Sequence, residues 1–311
     1  MTHIRMMPIS YFFEPYHCKM ILQQVCLYKH AVMKKIIAAF DGLKYSAATA
    51  RYAIQLASTD AAHITGVFLE DITYTSYKIY ELLNKDGVSE KKLNQYKEKD
   101  RLTRLKATSS FENACQQAGV NYNSHHDKNI ALKELLHESI YADLLVIDRK
   151  ETLTHYDEKI PTRFIRELLA DVQCPVLLVP QVYKPVEKII LLYDGEPSSI
   201  HAIKMFSYML AGLQHLPAEI VTVKSQHKDL HVPDSKLMKE YIKRHFPKAA
   251  YTVLKGQPEQ AITDYLKNQQ QQAVVVAGAY RRGNVSRWFR ASMADTIMKE
   301  VQLPLFIAHN K

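Results

Sequence analysis

The chain repeats itself. Lys35-Ile-Ile-Ala-Ala-Phe-Asp41-Gly42 returns in the second half as Lys188-Ile-Ile-Leu-Leu-Tyr-Asp194-Gly195. Each copy is an apolar run that stops at Asp-Gly. A run without polar alternation suits a strand buried on both faces, as a parallel sheet requires. Apolar residues near helical spacing follow each copy, from Ser46 to Ala57 and from Ser198 to Leu213. Ser46, and Ser198 or Ser199, are placed to cap those helices, because a serine oxygen accepts an otherwise orphaned backbone N–H.

The order then runs in parallel through both halves. Second strands read His63 to Leu69 and Glu219 to Val223, and third strands fall near Val120 to Ser124 and Ala250 to Leu254. Fourth strands are Asp143 to Ile147 and Ala273 to Ala277. Fifth strands, in Cys174 to Val179 and Leu303 to Ile307, carry a proline at their start, its tolerated position. The spacing predicts helices over Glu90 to Ala118, Asp234 to His245, Ile130 to Tyr141 and Pro258 to Asn268, and one more before each fifth strand. Such alternation builds right-handed βαβ units on a parallel sheet. The expected class is therefore α/β, with two tandem doubly wound domains.

A length of 311 residues fits two domains. They are expected at 33–182 and 183–311, tightly coupled through the short, proline-flanked linker Pro180 to Pro185. Residues 1–32 carry no clear period, and Gln23, Gln24 and Lys29 interrupt the apolar core that a signal peptide needs. They read as an N-terminal extension that adds little to the fold, with a functional arm as the alternative.

The 41 Lys and Arg exceed the 32 Asp and Glu, for a formal charge of +9. That balance favours anionic partners in general. No Lys/Arg block of five or more singles out nucleic acid, and no long apolar run predicts a membrane span. Cys18, Cys26, Cys115 and Cys174 show no C-x-x-C spacing, which suits reduced thiols in a cytoplasmic protein.

With Asp41-Gly42, Asp194-Gly195, the stretch Lys255-Gly256-Gln-Pro258-Glu-Gln-Ala-Ile262 and Gly278 after a buried strand, the chain resembles the universal stress protein family from Met33 to Lys311. The resemblance implies five-stranded parallel sheets and, for many members, bound ATP. It also implies that the last strands pair across a two-fold, making an intramolecular pseudo-dimer with no edge left exposed. The family's phosphate loop reads Gly-x-x-Gly, nine residues, then Gly-Ser or Gly-Thr. In the second half Gly278 and Ser292 match, whereas Arg281 and Ala291 stand at the other two glycine positions. In the first half Asp148 and Glu151 replace the first two glycines, and a carboxylate facing a triphosphate is repulsive. The first half is expected not to bind ATP.

The cofactor-site candidates are thus Asp194, Gly195, Gly278, Arg281 and Ser292, and the candidate ligand is ATP or another anionic small molecule. Each has a plainer reading. Asp41 and Asp194 close strand–helix turns through Asx hydrogen bonds, Gly278 permits a turn, and Ser292 caps a helix. The arginines Arg281, Arg282, Arg287 and Arg290 hold phosphate or form a solvated basic loop, and Trp288 packs. His125-His126 and His227 with His231 lack partners at metal-site spacing, so no metal is expected. Tyr96, Leu102, Leu105 and Phe111 read as a core or interface stripe. No G-x-S-x-G elbow or intact P-loop appears, so the expected role is non-enzymatic: a stress-response protein acting by binding, or a degenerate scaffold for protein partners.

Overall fold

The computed structural model describes residues 34–71, 75, 83–84, 87–224, 231–269, 272–278 and 291–309. The N-terminal extension, with Cys18 and Cys26, and the segment 279–290, with Arg281 and Trp288, lie outside the described residues, as does His227.

The first half runs β1 (Lys35–Asp41), α1 (Ala47–Asp60), β2 (His63–Asp71), α2 (Glu90–Ala118), β3 (Tyr122–Asn129), α3 (Ala131–Ser139), β4 (Leu144–Asp148), α4 (Arg163–Asp171) and β5 (Val176–Val179). The second half repeats this order as β6 (Lys188–Leu192), α5 (Pro197–Met209), β7 (Ala218–Lys224), α6 (Ser235–His245), β8 (Ala250–Lys255), α7 (Pro258–Lys267), β9 (Ala273–Gly278), α8 (Ala291–Glu300) and β10 (Leu305–Ala308). A short antiparallel pair, Leu83–Asn84 with Gly87–Val88, precedes α2.

One ten-stranded sheet takes both halves, in the order β8-β7-β6-β9-β10-β5-β4-β1-β2-β3. Within each half every pairing of this sheet is parallel. At the seam β10 runs antiparallel to β5, with Leu305 opposite Leu178, Phe306 opposite Leu177 and Ile307 opposite Val176. The final strands thus meet as the resemblance implies. The expectation that no edge remains is corrected, because β3 and β8 end the sheet. The tips of β8, Ala250 and Lys255, are exposed.

Strand alternation assigns the cores. Ile36, Ala38 and Phe40 of β1 face one apolar layer, with α1, α2, α5 and α6. Ile37 and Ala39 face the other, with α3, α4, α7 and α8. Each layer is continuous across the seam. It follows that apolar runs such as Ile189–Leu192 are buried on both faces, as their lack of alternation predicts.

Local chemistry sets the boundaries. Ser46 caps α1 by accepting from the Thr49 N–H. The expected serine cap on α5 is corrected: Glu196 is the cap residue and Pro197 opens the helix, where its missing N–H costs nothing. Ser198 and Ser199 therefore lie inside the first turn. On α2, Phe111 is fully buried, but Leu102 and Leu105 are exposed, so the expected stripe joins the core only at its C-terminal end. Cys115 and Cys174 are buried thiols, and burial pushes Cys115 up to about 12.

Candidate functional site

In each half the crevice opens where the first and fourth strands lie side by side and their connections leave in opposite directions. Doubly wound sheets hold ligands at such switch points, outside the carboxyl ends of the strands.

In the first half Asp41 ends β1 and Asp148 ends β4, both buried. Asp41 Oδ1 accepts from the Leu43 N–H at 2.7 Å, the turn-closing bond that the plain reading requires. Asp148 Oδ1 accepts from the Lys150 N–H at 2.9 Å, and its Oδ2 accepts from the Ser46 hydroxyl at 3.3 Å. Glu151 follows, also buried, with Oε1 accepting the N–H groups of Thr152 at 2.9 Å and Leu153 at 3.0 Å. Burial, and then the charge of Asp41, pushes the Glu151 carboxyl up to about 8. Asp148 is raised too, chiefly by burial. A cavity of about 600 Å³ lies over these groups. Between the two carboxylates, Arg149 turns away: its guanidinium donates to the Val301 carbonyl and to Gln302 Oε1 beyond the end of α8.

The second half places the corresponding groups differently. Asp194 is buried two residues past β6, and its Oδ1 accepts from the Glu196 N–H at 3.0 Å. Gly195 takes a φ of 88°, a left-handed angle natural to glycine, and a Cβ there would come within 2.8 Å of Pro233. Gly278 ends β9. A Cβ on it would stand 2.2 Å from the Ser198 carbonyl oxygen. Its glycine is therefore demanded by the close approach of α5, a packing reason that neither the turn nor the phosphate reading had named. Ser292 lies in the first turn of α8. The structure thus brings Asp194, Gly195 and Gly278 to one crevice, with α5 opening onto it.

Sequence reasoning missed one group. The Ser198 hydroxyl is buried and has no hydrogen-bond partner among the described residues, and the backbone carbonyl of the same residue lies against Gly278. In the first half the helix-capping Ser46 gives its hydroxyl to Asp148. With glycine at the end of β9, Ser198 finds no such carboxylate. The signal lay in the Asp-to-Gly difference between the two strand ends, read together with a serine near the start of each helix.

His125 and His126 are structurally engaged. His125 Nδ1 lies 2.6 Å from Glu138 Oε1, while His126 stacks on Phe68 at 5.4 Å. Among the described residues no three His, Cys, Asp or Glu side chains group to hold a metal ion, and no helix is long and apolar enough to cross a membrane.

No family model and no curated protein matches the chain. Among solved structures it is similar to a universal stress protein from Archaeoglobus fulgidus DSM 4304, with a TM-score of 0.64 and 12% identity over 89% of this chain and 98% of that one. It is also similar to a functionally unknown protein from Pseudomonas aeruginosa PAO1, with a TM-score of 0.56 and 11% identity over 89% of this chain and 93% of that one. The fold is that of universal stress proteins, carried twice along one chain.

Proposed function

We propose that this chain is a tandem universal stress protein that acts by binding and without catalysis, and that its second half is the half open to an adenine nucleotide. The observation that carries the reading is the buried hydroxyl of Ser198, whose backbone lies against Gly278: it has no partner among the described residues, whereas the first half's Ser46 gives its hydroxyl to Asp148. A buried hydroxyl without a partner costs roughly 1–3 kcal/mol, which a ligand oxygen would recover. The N-terminus of α5 favours an anion at the same place. Arg281 and the arginines after it add positive charge, and Ser292 opens α8. The first half lacks this character, since Asp41, Asp148 and Glu151 crowd its crevice.

A second reading, a scaffold for protein partners, draws on Pro233, which packs over Gly195 and narrows the crevice at the Asp194 end. Titration of magnesium–ATP into the full chain separates the two. The nucleotide reading expects one saturable site per chain, lost in Arg281→Glu and in Ser292→Asp, with the ATP recovered unhydrolysed. Absence of heat and of any shift in melting temperature at millimolar ATP would leave the scaffold.

A further inference from the structure

The first-half cavity holds an arrangement that its own loop completes. Thr152 and Leu153 point successive backbone N–H groups at one oxygen, Glu151 Oε1. Leu153 sits at a φ of 50°, a left-handed angle that helps turn the two N–H groups to the same side. Converging N–H groups of this kind form a concavity suited to an anion. Here the occupant is a side chain of the preceding residue. Glu151 also lines the cavity.

The remaining lining shows what that carboxyl changes. Lys44, Lys150, Lys159 and Lys299 line the same cavity, Lys299 arriving from α8 of the second half. Lys159 and Lys299 make no ion pair among the described residues. Asp148, Asp157 and Glu158 oppose them, and Glu158 is tied to the Arg163 N–H at 2.6 Å. Set against those three acids, the four lysines leave an excess of positive charge, and without the Glu151 side chain that excess would surround two unclaimed N–H donors.

We propose that Glu151 is a built-in stand-in for a ligand oxygen: its carboxyl fills the Thr152–Leu153 N–H pair and keeps the first-half cavity closed to phosphate-class ligands, and removing that carboxyl opens a site for them. The contact is autoinhibitory and belongs to the half that the nucleotide reading leaves empty, so the two proposals stand or fall separately.

The probe is inorganic pyrophosphate, titrated calorimetrically into the full chain. Every protein carries Arg281→Glu, so that a second-half site adds nothing. With Glu151 intact no saturable heat is expected. Glu151→Gln should behave the same way, because the amide oxygen still accepts both N–H groups. Glu151→Ala should bind at one site per chain, at least tenfold more tightly, and adding Lys159→Ala with Lys299→Ala should abolish the gain. Equal behaviour of the alanine and glutamine variants would overturn the proposal, as would tight binding with Glu151 in place. Glu151→Ser serves if the alanine variant does not fold. If neither folds, the carboxyl is part of the core, not a stand-in, and the proposal fails.

Discussion

Glu151 is an acid in a place that resists ionisation. Its carboxyl ordinarily titrates near 4.5, but burial and the neighbouring Asp41 push it up to about 8. Between those values the folded chain keeps a proton that the unfolded chain has released. The group therefore lowers stability as pH rises through that window, and the loss is complete above about 8. Glu151→Gln cannot ionise. Its stability advantage over the wild type should grow from pH 5 to pH 8, by at most about 1.4 kcal/mol per pH unit, and then level off. Urea unfolding of both proteins across that range checks this, and a constant difference would contradict it. The sequence places Asp148 and Glu151 at loop positions where glycine is expected, so the presence of acids at this crevice was legible. That Glu151 satisfies two backbone N–H groups was not, because the bond depends on the left-handed backbone at Leu153.

Periodicity makes the elements themselves readable. The apolar runs and their turn residues mark all ten strands of the large sheet and the long helices to within a few residues, and α2 to its ends. Contacts between distant elements leave no such mark. Arg149 reads in sequence as a charge after a strand, yet it is buried and reaches the Val301 carbonyl at the end of α8. A helix C-terminus presents orphan carbonyls with partial negative charge, which favours a cation there. Burial holds the guanidinium below its ordinary pKa, an effect that the adjacent Asp148 opposes. Arg149→Met keeps much of the volume but leaves the Val301 carbonyl and Gln302 without their donors. The expected loss is roughly 1–3 kcal/mol in denaturant unfolding. Arg149→Lys should recover little of it, since an ammonium cannot span two acceptors as a planar fork does. Full stability in the methionine variant would show that this bond contributes nothing.

At the scale of the molecule, two sequence repeats do not imply two folding units. Both apolar layers pass through the β5–β10 seam without a break. Lys34 donates to the Met209 carbonyl, and Asp60 accepts from the Gly212 N–H at 3.0 Å, so contacts between the halves extend beyond the paired strands. A β5 edge left alone would expose unpaired backbone along Val176–Val179, which are fully buried in the whole chain. The halves should therefore unfold together. Hydrogen exchange of the buried strand Ala273–Gly278 reports on the second half, whereas far-ultraviolet circular dichroism reports on both. Phe306 lies at the seam, fully buried, opposite Leu177 and against Phe206 at 5.3 Å. Phe306→Ala should cost about 3–5 kcal/mol. If the halves are one cooperative unit, that loss moves the exchange-detected and dichroism transitions by the same amount. If they are independent, the exchange-detected transition moves alone and dichroism splits into two steps, the later one belonging to an undisturbed first half. Coincident curves would locate the cooperativity in the seam-spanning cores, and split curves would return the chain to two domains that only touch.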